Sequence, residues 1–447
     1  MSTQLKVVLA ETRSREGNRM AERETLLGDI RVLDLADQKG VYCAKLLADL
    51  GADTIRIEPP WGDPMRRIGP FFHDEPEPEK SLYWFQFNTS KRSITLNLER
   101  ADGREILKTL VKTADVMVET FPPGHLEEIG LGYSVLAEIN PGLVLTSITP
   151  FGQTGPYRDF KSSDVVTQAM GGLMYLAGFP DDPPYKIYGS QAYHSASVQA
   201  AVGTLVALYA RELTGRGQRV DVSLQESVLM AQETAIPTYD MRKVVRRRVA
   251  AEAPLIPGSG LYPCQDGHIF AGVVAGAGAG WDVIVDWLNS EGMAGDLKDP
   301  KWQETFQLMG NVRALVALAR DPLALATRLA DFAHINEILS AFMKSHTKGE
   351  IYRGAVARGI MMVPVQSPKD ILESTQLEAL GFFVDVEHDE LGMNLKYPGA
   401  PCYHISDAPW RISRRAPLIG EHNLEVYEGE LGFSNEKLAT LKQAGTI

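Results

Sequence analysis

The sequence has little of what marks secreted, membrane-spanning or nucleic-acid-binding proteins. Its 3 cysteines, Cys43, Cys264 and Cys402, form no CxxC pair, which is typical of reduced thiols. No segment approaches the ~20 apolar residues that a membrane span requires, and residues 1–28 lack the apolar core of a signal peptide. The net charge of -12 argues against nucleic-acid and anionic-membrane partners. We therefore expect a cytoplasmic protein.

Two further absences restrict the chemistry. The 9 histidines show no ligand spacing, so we expect no metal site. The turn at 36–40, after the first predicted strand, has no GxGxxG, so the fingerprint of a nicotinamide-binding fold is missing. A ligand phosphate can still meet the free N–H groups at the start of the helix that follows this turn.

Strands and helices alternate along the first part of the chain. This order predicts an α/β fold with a doubly wound, mostly parallel sheet and with ligand sites at the carboxyl ends of its strands. The predicted elements are strands over 30–35, 53–58, 94–98, 115–119 and 143–148 and helices over 41–50 and 103–112.

After residue 228 the sequence has more helical patterns and fewer strand-like ones. In the last hundred residues strand-like patterns become frequent again. We expect a discontinuous large domain and a smaller α+β domain. The predicted parts are an N-terminal extension (1–28), the large domain (29–228 and 349–447) and the small domain (229–348).

The segment 189–222, GSQAYHSASVQAAVGTLVALYARELTGRGQRVDV, has an unusual composition. It predicts a helix of small and apolar residues from about Ser195 to Glu212, then a TGRGQ turn and a strand from Arg219 to Leu224. The chain has no Asp or Glu between Asp182 and Glu212.

This segment resembles the class III CoA-transferases, the family of formyl-CoA transferase and carnitine CoA-transferase. The resemblance extends from about Ile30 to Ile447 as an ordered series of motifs. These are VLDLADQKGVYCAKLLADLGADTIRIEPPWGDPMRR from 32, NTSKRSITLNL from 88, DVMVETFPPG from 115, FGQTGP from 151, VPV from 363, PGAP from 398 and RRAPLIGEH from 414.

The resemblance implies two subunits threaded through each other as an interlocked dimer. It also implies a coenzyme A thioester as substrate, with a carboxylic acid as acceptor and no separate cofactor. The positions that match CoA contacts of the family are Gln38, Lys39, Gly40, Arg56, Leu96, Thr120 and Phe121. The glycine-rich loop with Gly276, Gly278 and Gly280 matches a flap over the active site. Glu99 departs from the family, where the matching position is often basic, and a carboxylate there repels phosphates.

The nucleophile of this family is an aspartate just before the small-residue helix, and the matching position here is Tyr193. A carboxylate attacks the donor thioester to form an anhydride, whereas a free phenol has a pKa near 10 and is about 0.1% ionised at neutral pH. His194, whose imidazole can form a reactive acyl derivative, is the neighbouring substitute. Some members, such as benzylsuccinate CoA-transferase, are built from two related subunits of which only one holds the aspartate.

Several functions stay open at this point. The first is the non-catalytic subunit of a heteromeric CoA-transferase. The second is a stand-alone transferase that uses His194 or Tyr193, and the third is an acyl-CoA-binding homologue without activity. An acyl-CoA racemase is disfavoured, because Ser163 stands where the family's racemases have a histidine.

Overall fold

Six parallel strands form the largest sheet of the protein. The computed structural model describes residues 25–248, 256–273, 278–399 and 403–447, so the extension expected over 1–28 lies mostly outside the described residues. The strand order is β3-β2-β1-β4-β5-β6, and every neighbouring pair is parallel. The strands are β1 (Arg31–Leu35), β2 (Asp53–Glu58), β3 (Lys91–Thr95), β4 (Val116–Glu119), β5 (Val144–Thr149) and β6 (Arg219–Ser223).

Helices connect these strands and cover both faces of the sheet. Crossing from one parallel strand to the next requires such a connection. The helices are α1 (Val41–Asp49), α2 (Leu82–Asn88), α3 (Ala101–Val111), α4 (His125–Glu128), α5 (Tyr133–Ile139), α6 (Asp164–Met170), α7 (Leu173–Leu176), α8 (Gln191–Thr214), α9 (Leu224–Leu229) and α10 (Ala235–Arg242). Short 3-10 turns lie at Pro64–Arg67, Phe72–Asp74 and Met230–Gln232.

The alternation of side chains along the strands builds a separate core on each face. Leu33, Ile55 and Met117 pack with the side chains of α3 and α5. Val32 and Val116, which point the other way, pack with α1 and α8. Both faces are therefore apolar, as a doubly wound sheet requires. The fold class expected from the sequence is confirmed.

The chain divides into two units. The first comprises the described residues up to Tyr175, Lys186–Arg246 and Gln376–Ile447, and the second comprises Leu176–Tyr185 and Arg247–Thr375. The domain limits expected at 229 and 348 stay a prediction.

A three-stranded antiparallel sheet and a helical core make up the second unit. Trp281, Trp287 and Phe332 belong to this core. Its elements are β7 (Ser259–Cys264), β8 (Gly267–Gly272), α11 (Trp281–Ser290), a 3-10 turn (Pro300–Trp302), α12 (Gln303–Met309), α13 (Val312–Ala319), α14 (Pro322–Lys344), α15 (Lys348–Arg358), β9 (Met362–Pro364) and α16 (Pro368–Leu372).

The C-terminal part of the chain returns to the first unit. Tyr427 packs under the main sheet and donates a hydrogen bond of 2.6 Å to the carbonyl of Thr95. The elements are α17 (Thr375–Ala379), an antiparallel hairpin of β10 (Phe383–His388) and β11 (Met393–Pro398), a π-helical turn (Glu425–Glu430) and α18 (Asn435–Gln443).

Two elements differ from the sequence-based expectation. The strand expected over 94–98 is Lys91–Thr95, because the charged residues at its start are buried in ion pairs that the hydrophobic pattern does not reveal. The helix expected from Ser195 begins at Gln191, since its first turn has a cap from a distant residue.

In the part of the chain that the structure describes, no helix has both the length and the apolarity to cross a bilayer.

Candidate functional site

A cavity of about 510 Å³ opens where β1, β2, β3 and β4 end. The strand order reverses between β1 and β4, and such reversal points are where open parallel sheets bind ligands. Five of the seven positions expected to contact CoA line this cavity. They are Lys39, Arg56, Leu96, Thr120 and Phe121.

Two turns, 36–40 and 120–122, form one wall of the cavity, and direct contacts hold them together. The backbone N–H of Asp37 donates to Oγ1 of Thr120 at 2.9 Å. Gly40 is buried, and a Cβ there would lie 2.8 Å from both the Thr120 Cγ2 and the Ile148 Cδ1 atoms. A side chain at this position would force these neighbouring atoms to shift. Gln38 and Gly40 belong to the turn but are not among the described residues that line the cavity.

A buried ionic cluster lies directly behind the turn 36–40. Asp34 is fully buried and accepts hydrogen bonds from Lys91 Nζ at 2.8 Å and from an Arg56 nitrogen at 3.0 Å. Arg56 also pairs with Asp63, and its side chain is only 2% exposed. Burial lowers the pKa of Lys91 to about 8, although Asp34 opposes the shift. The charge of Arg56 is therefore neutralised within the protein.

Carboxylates outnumber cations around the cavity. Four acidic side chains, Asp37, Glu58, Asp63 and Glu99, line it together with the two basic ones, Lys39 and Arg56. Lys39 is paired with Asp37, and Glu58 with Arg66 at 2.8 Å. Glu99 is exposed, and a guanidinium nitrogen of Arg104 donates to its backbone carbonyl at 2.9 Å. Three of the four lining carboxylates are therefore paired with cations of the protein.

Tyr193 lies in the first turn of α8, inside the core between α8 and the sheet. Its side chain is 4% exposed, and it packs in the same cluster as Ala36 and Leu47. Burial raises the pKa of its phenol to about 12, although a hydrogen bond with the backbone of Asp164 opposes the shift. At neutral pH the phenol is therefore un-ionised and a weak nucleophile.

His194 is half-buried among aromatic rings. Its ring centroid lies 5.6 Å from that of Tyr42 and 5.5 Å from that of Phe87. Burial lowers its pKa, although Asp164 opposes the shift. His194 is therefore a neutral imidazole at physiological pH.

The sequence analysis missed the role of Asp164, a carboxylate at the start of α8 that comes from α6. Its Oδ1 accepts the backbone N–H of Ala192 at 2.9 Å and its Oδ2 accepts from Gln168 Nε2 at 2.7 Å. The Lys186 ammonium lies 3.4 Å away. Asp164 is 7% exposed, so it acts as a helix cap. No local signal in the sequence points to this cap, because the N-cap residue, Ser190, is of a type that commonly caps helices itself.

Glu119 was also missed. It ends β4, is 2% exposed, and accepts the backbone N–H of Phe121 at 2.7 Å. Burial raises the pKa of Glu119 to about 7. The carboxyl group of Glu119 therefore stabilises the turn 120–122 through this hydrogen bond. That this group is buried is evident only from the folded structure.

The sequence pattern of CoA-transferase family III matches residues 27–423. The chain belongs to this family. It is 35% identical to succinyl-CoA:(R)-benzylsuccinate CoA-transferase subunit BbsE of Thauera aromatica, over 93% of this chain and 97% of the relative. It is 37% identical to formyl-CoA:oxalate CoA-transferase of Streptomyces avermitilis, over 94% and 99% of the two chains.

A solved CAIB/BAIF family protein from Brucella suis has a similar structure. The TM-score is 0.76 at 27% identity, and the match covers 91% of this chain and all of the other. The chain is therefore a CoA-transferase by family, and the cavity at the strand ends is its candidate site for a CoA thioester, which is a substrate in this family.

The loop that matches the flap of CoA-transferases lies in the second unit. Gly276 lies outside the described residues. Gly278 forms a β-bridge with Ile360, and a Cβ there would lie 2.4 Å from the carbonyl oxygen of Gly359. Gly280 precedes the first residue of α11. The flap role stays a prediction.

A search of the described residues for clusters of three or more His, Cys, Asp or Glu side chains with metal-binding geometry finds none.

Proposed function

We propose that this chain is the subunit of a heteromeric CoA-transferase that does not hold the nucleophile. The reaction is the transfer of coenzyme A between an acyl-CoA thioester and a carboxylic acid. The observation that carries the proposal is the buried phenol of Tyr193, which stands at the position where the family's aspartate is expected.

The chemistry of the reaction supports this assignment. The nucleophile must attack a thioester, release CoA as a thiolate and form an intermediate that keeps its acyl-transfer potential, which a carboxylate does by forming a mixed anhydride. With a pKa raised to about 12, only about one in 10⁵ Tyr193 side chains is a phenolate at pH 7.

The nearby groups do not replace the aspartate. Asp164 is a carboxylate, but both of its oxygens accept hydrogen bonds and its side chain is 7% exposed. His194 is neutral and half-exposed, and it is the group on which a stand-alone activity would depend. A partner chain with a free carboxylate at the matching position is therefore needed, and an interlocked dimer of two related chains is the assembly that we expect.

The benzylsuccinate relative is itself described as a subunit, which favours a heteromer over a single-chain enzyme. We take succinyl-CoA and a dicarboxylic acid with an aromatic ring as the first substrates to assay.

The test compares the chain alone with the chain co-expressed with a related subunit that holds the aspartate. We expect CoA transfer only from the pair. Hydroxylamine trapping during turnover, followed by peptide mass mapping, should place the modified residue in the partner. Tyr193→Phe and His194→Gln should each leave the activity of the pair within about twofold of the wild type.

Activity of the isolated chain that is abolished by His194→Gln would replace this proposal with a stand-alone enzyme. If acyl-CoA bound to the isolated chain and no partner restored turnover, the chain would instead be a binding protein.

A further inference from the structure

Strand β3 is an edge of the six-stranded sheet, and the residues that follow it line the candidate CoA cavity. Among the described strands only β2 pairs with β3. The continuation of β3 over 96–99 lines the cavity of about 510 Å³. The outer side of an edge strand presents backbone groups that need partners. Whatever supplies these partners therefore also fixes one wall of the cavity.

The C-terminal segment (414–447) supplies these partners through His422 and Asn423. The N–H of Ser93 donates to Nδ1 of His422 at 3.2 Å, and the carbonyl of Ser93 accepts the backbone N–H of His422 at 2.9 Å. The N–H of Thr95 donates to Oδ1 of Asn423 at 2.9 Å, and Nδ2 of Asn423 donates to Oγ1 of Thr95 at 2.8 Å. These two residues thus take the place of a neighbouring strand along the end of β3.

The same segment also contacts the wall of the cavity. The backbone N–H of Asn97 donates to the carbonyl of Thr446 at 2.8 Å, and Nδ2 of Asn97 donates to the carbonyl of Gly445 at 3.2 Å. Ser93 is fully buried and Thr95 is 4% exposed. Loss of a partner would leave a buried backbone group unsatisfied, which is unfavourable. The C-terminal segment and the wall at 96–99 should therefore loosen together.

The contact with Ser93 requires a neutral His422. Because Nδ1 accepts the N–H of Ser93, the single proton of the neutral imidazole is on Nε2. A second proton would place an N–H on Nδ1, directed at the N–H of Ser93. It would also add a positive charge beside Arg414, whose guanidinium nitrogen lies 3.1 Å from Nε2. Protonation of His422 therefore opposes the contact.

Charged groups approach His422 from each element packed against it. Burial lowers the pKa of the His422 imidazole, although Glu421 opposes the shift. Since the pKa is lower in the folded chain, the stability that the neutral imidazole contributes is lost as pH falls below the ordinary histidine range. The charged groups are Arg414, Arg415 and Glu421 before His422, Glu425 of the π-helical turn, Arg92 of β3, and Glu387 and Asp389 of the hairpin of β10 and β11, across a cavity of about 350 Å³.

We propose that His422 is a positioning residue that, with Asn423 beside it, holds the end of β3 and the 96–99 wall of the candidate CoA cavity. Protonation of His422 releases this contact, so CoA binding weakens in acid through His422. The inference goes beyond the proposed function, because it holds for a catalytic and for a non-catalytic subunit alike.

Hydrogen exchange of the full chain, followed by mass spectrometry, measures the contact directly. Exchange over 91–97 is divided by the intrinsic rate at each pH. From about pH 7.5 to about pH 5.5 this ratio should rise at least about threefold in the wild type. Peptides of β5, which lies inside the sheet, should change by less than about twofold.

His422→Asn separates the hydrogen bond from the titration. Its Oδ1 atom can accept the N–H of Ser93, and the amide takes up no proton in this range. Exchange over 91–97 should therefore be slow at both pH values in His422→Asn and fast at both in His422→Leu, which lacks the acceptor. His268→Asn, at an exposed position of β8, should keep the wild-type dependence on pH. If His422→Leu does not fold, the comparison of the wild type with His422→Asn decides.

Calorimetric titration with CoA tests whether the contact positions the wall of the cavity. The phosphates of CoA also gain protons in this range, so the wild type and His422→Asn are compared at each pH. From about pH 7.5 to about pH 5.5 the CoA affinity of the wild type should fall at least about threefold more than that of His422→Asn. If His422 only stabilised the fold, the melting temperatures would differ and the two affinities would depend on pH in the same way.

Any of three results would overturn the inference: the same pH dependence of exchange in the wild type and His422→Asn, the same pH dependence of their CoA affinities, or no CoA binding at the higher pH. Transfer activity of the isolated chain would contradict the proposed function and leave this inference standing.

Discussion

The turns 36–40 and 120–122 and the start of α8 all adjoin the six-stranded sheet, but different interactions stabilise their positions. Behind the turns, buried ion pairs join Asp34, Arg56 and Lys91. At the start of α8, Tyr193 packs among apolar side chains, and Asp164 caps the helix through a single carboxylate. One region is held mainly by charge and the other mainly by packing. A region held by charge should respond to pH and to neutral substitutions, whereas a packed region should respond to changes of volume.

The largest effect is expected from Asp34→Ala. This change leaves the buried ammonium of Lys91 and the buried guanidinium of Arg56 without their shared partner. Breaking a buried pair from one side costs about 3–5 kcal/mol of unfolding free energy. Urea denaturation measures the loss, with Glu138→Ala, at an exposed position of α5, as the control that should stay within about 0.5 kcal/mol. A loss below about 1 kcal/mol would mean that the ion pairs do not hold these turns.

The next effect is a dependence on pH that comes from Glu119. Its pKa is raised from 4.5 to about 7 in the folded chain, so between these values the folded state keeps a proton that the unfolded state has released. Stability from this group is therefore lost as pH rises through that window, by about 3 kcal/mol in total. Glu119→Gln removes the titration and keeps an oxygen that accepts from the Phe121 N–H.

The difference in unfolding free energy between wild type and Glu119→Gln should therefore fall as pH rises from about 4 to about 8. A difference that stays constant across this range would show that Glu119 titrates normally.

A smaller effect is expected from Gly40→Ala. The added Cβ would lie 2.8 Å from side-chain atoms of Thr120 and Ile148, and overpacking of this kind costs about 1–3 kcal/mol. Gly429→Ala is the matched control, since a Cβ at Gly429 meets nothing within 4 Å. Equal stability of the two variants in thermal denaturation would argue that the turns 36–40 and 120–122 are not tightly packed.

The smallest effect is expected at the start of α8 from Tyr193→Phe. It keeps the ring in its core and removes one hydroxyl hydrogen bond, which costs about 0.5–1.5 kcal/mol. The loss should be the same at pH 6 and pH 8, because the phenol does not titrate in that range. Tyr209→Phe, at a 69% exposed position of the same helix, is the control. A loss that grows with pH would mean that the Tyr193 oxygen is ionised and that the contrast between the two regions is wrong.

Much of the fold was predictable because it depends on local patterns. Strand β2 lies at the predicted residues, 53–58, since its apolar residues and flanking turns are local signals. The parallel sheet followed from the alternation of strands and helices. The boundaries of β3 were not predictable, because Lys91 and Arg92 look like surface residues until their carboxylate partners on other strands are known.

The candidate site was predictable in part. Motifs placed Leu96, Thr120 and Phe121 among the expected contacts, and these residues do line one cavity. The same motifs suggested Arg56 as a CoA contact; it lines the same cavity, and its charge is paired with Asp34 and Asp63. The cap that Asp164 provides to α8 joins residues 28 positions apart, which no local motif reports.

The sequence by itself determined the family, the order of strands and helices, and the absence of a carboxylate from 183 to 211, because each is written in consecutive residues. Only the tertiary structure decided which charges are free. Burial and pairing depend on contacts between distant segments, and these contacts neutralise Arg56 and raise the pKa of Tyr193.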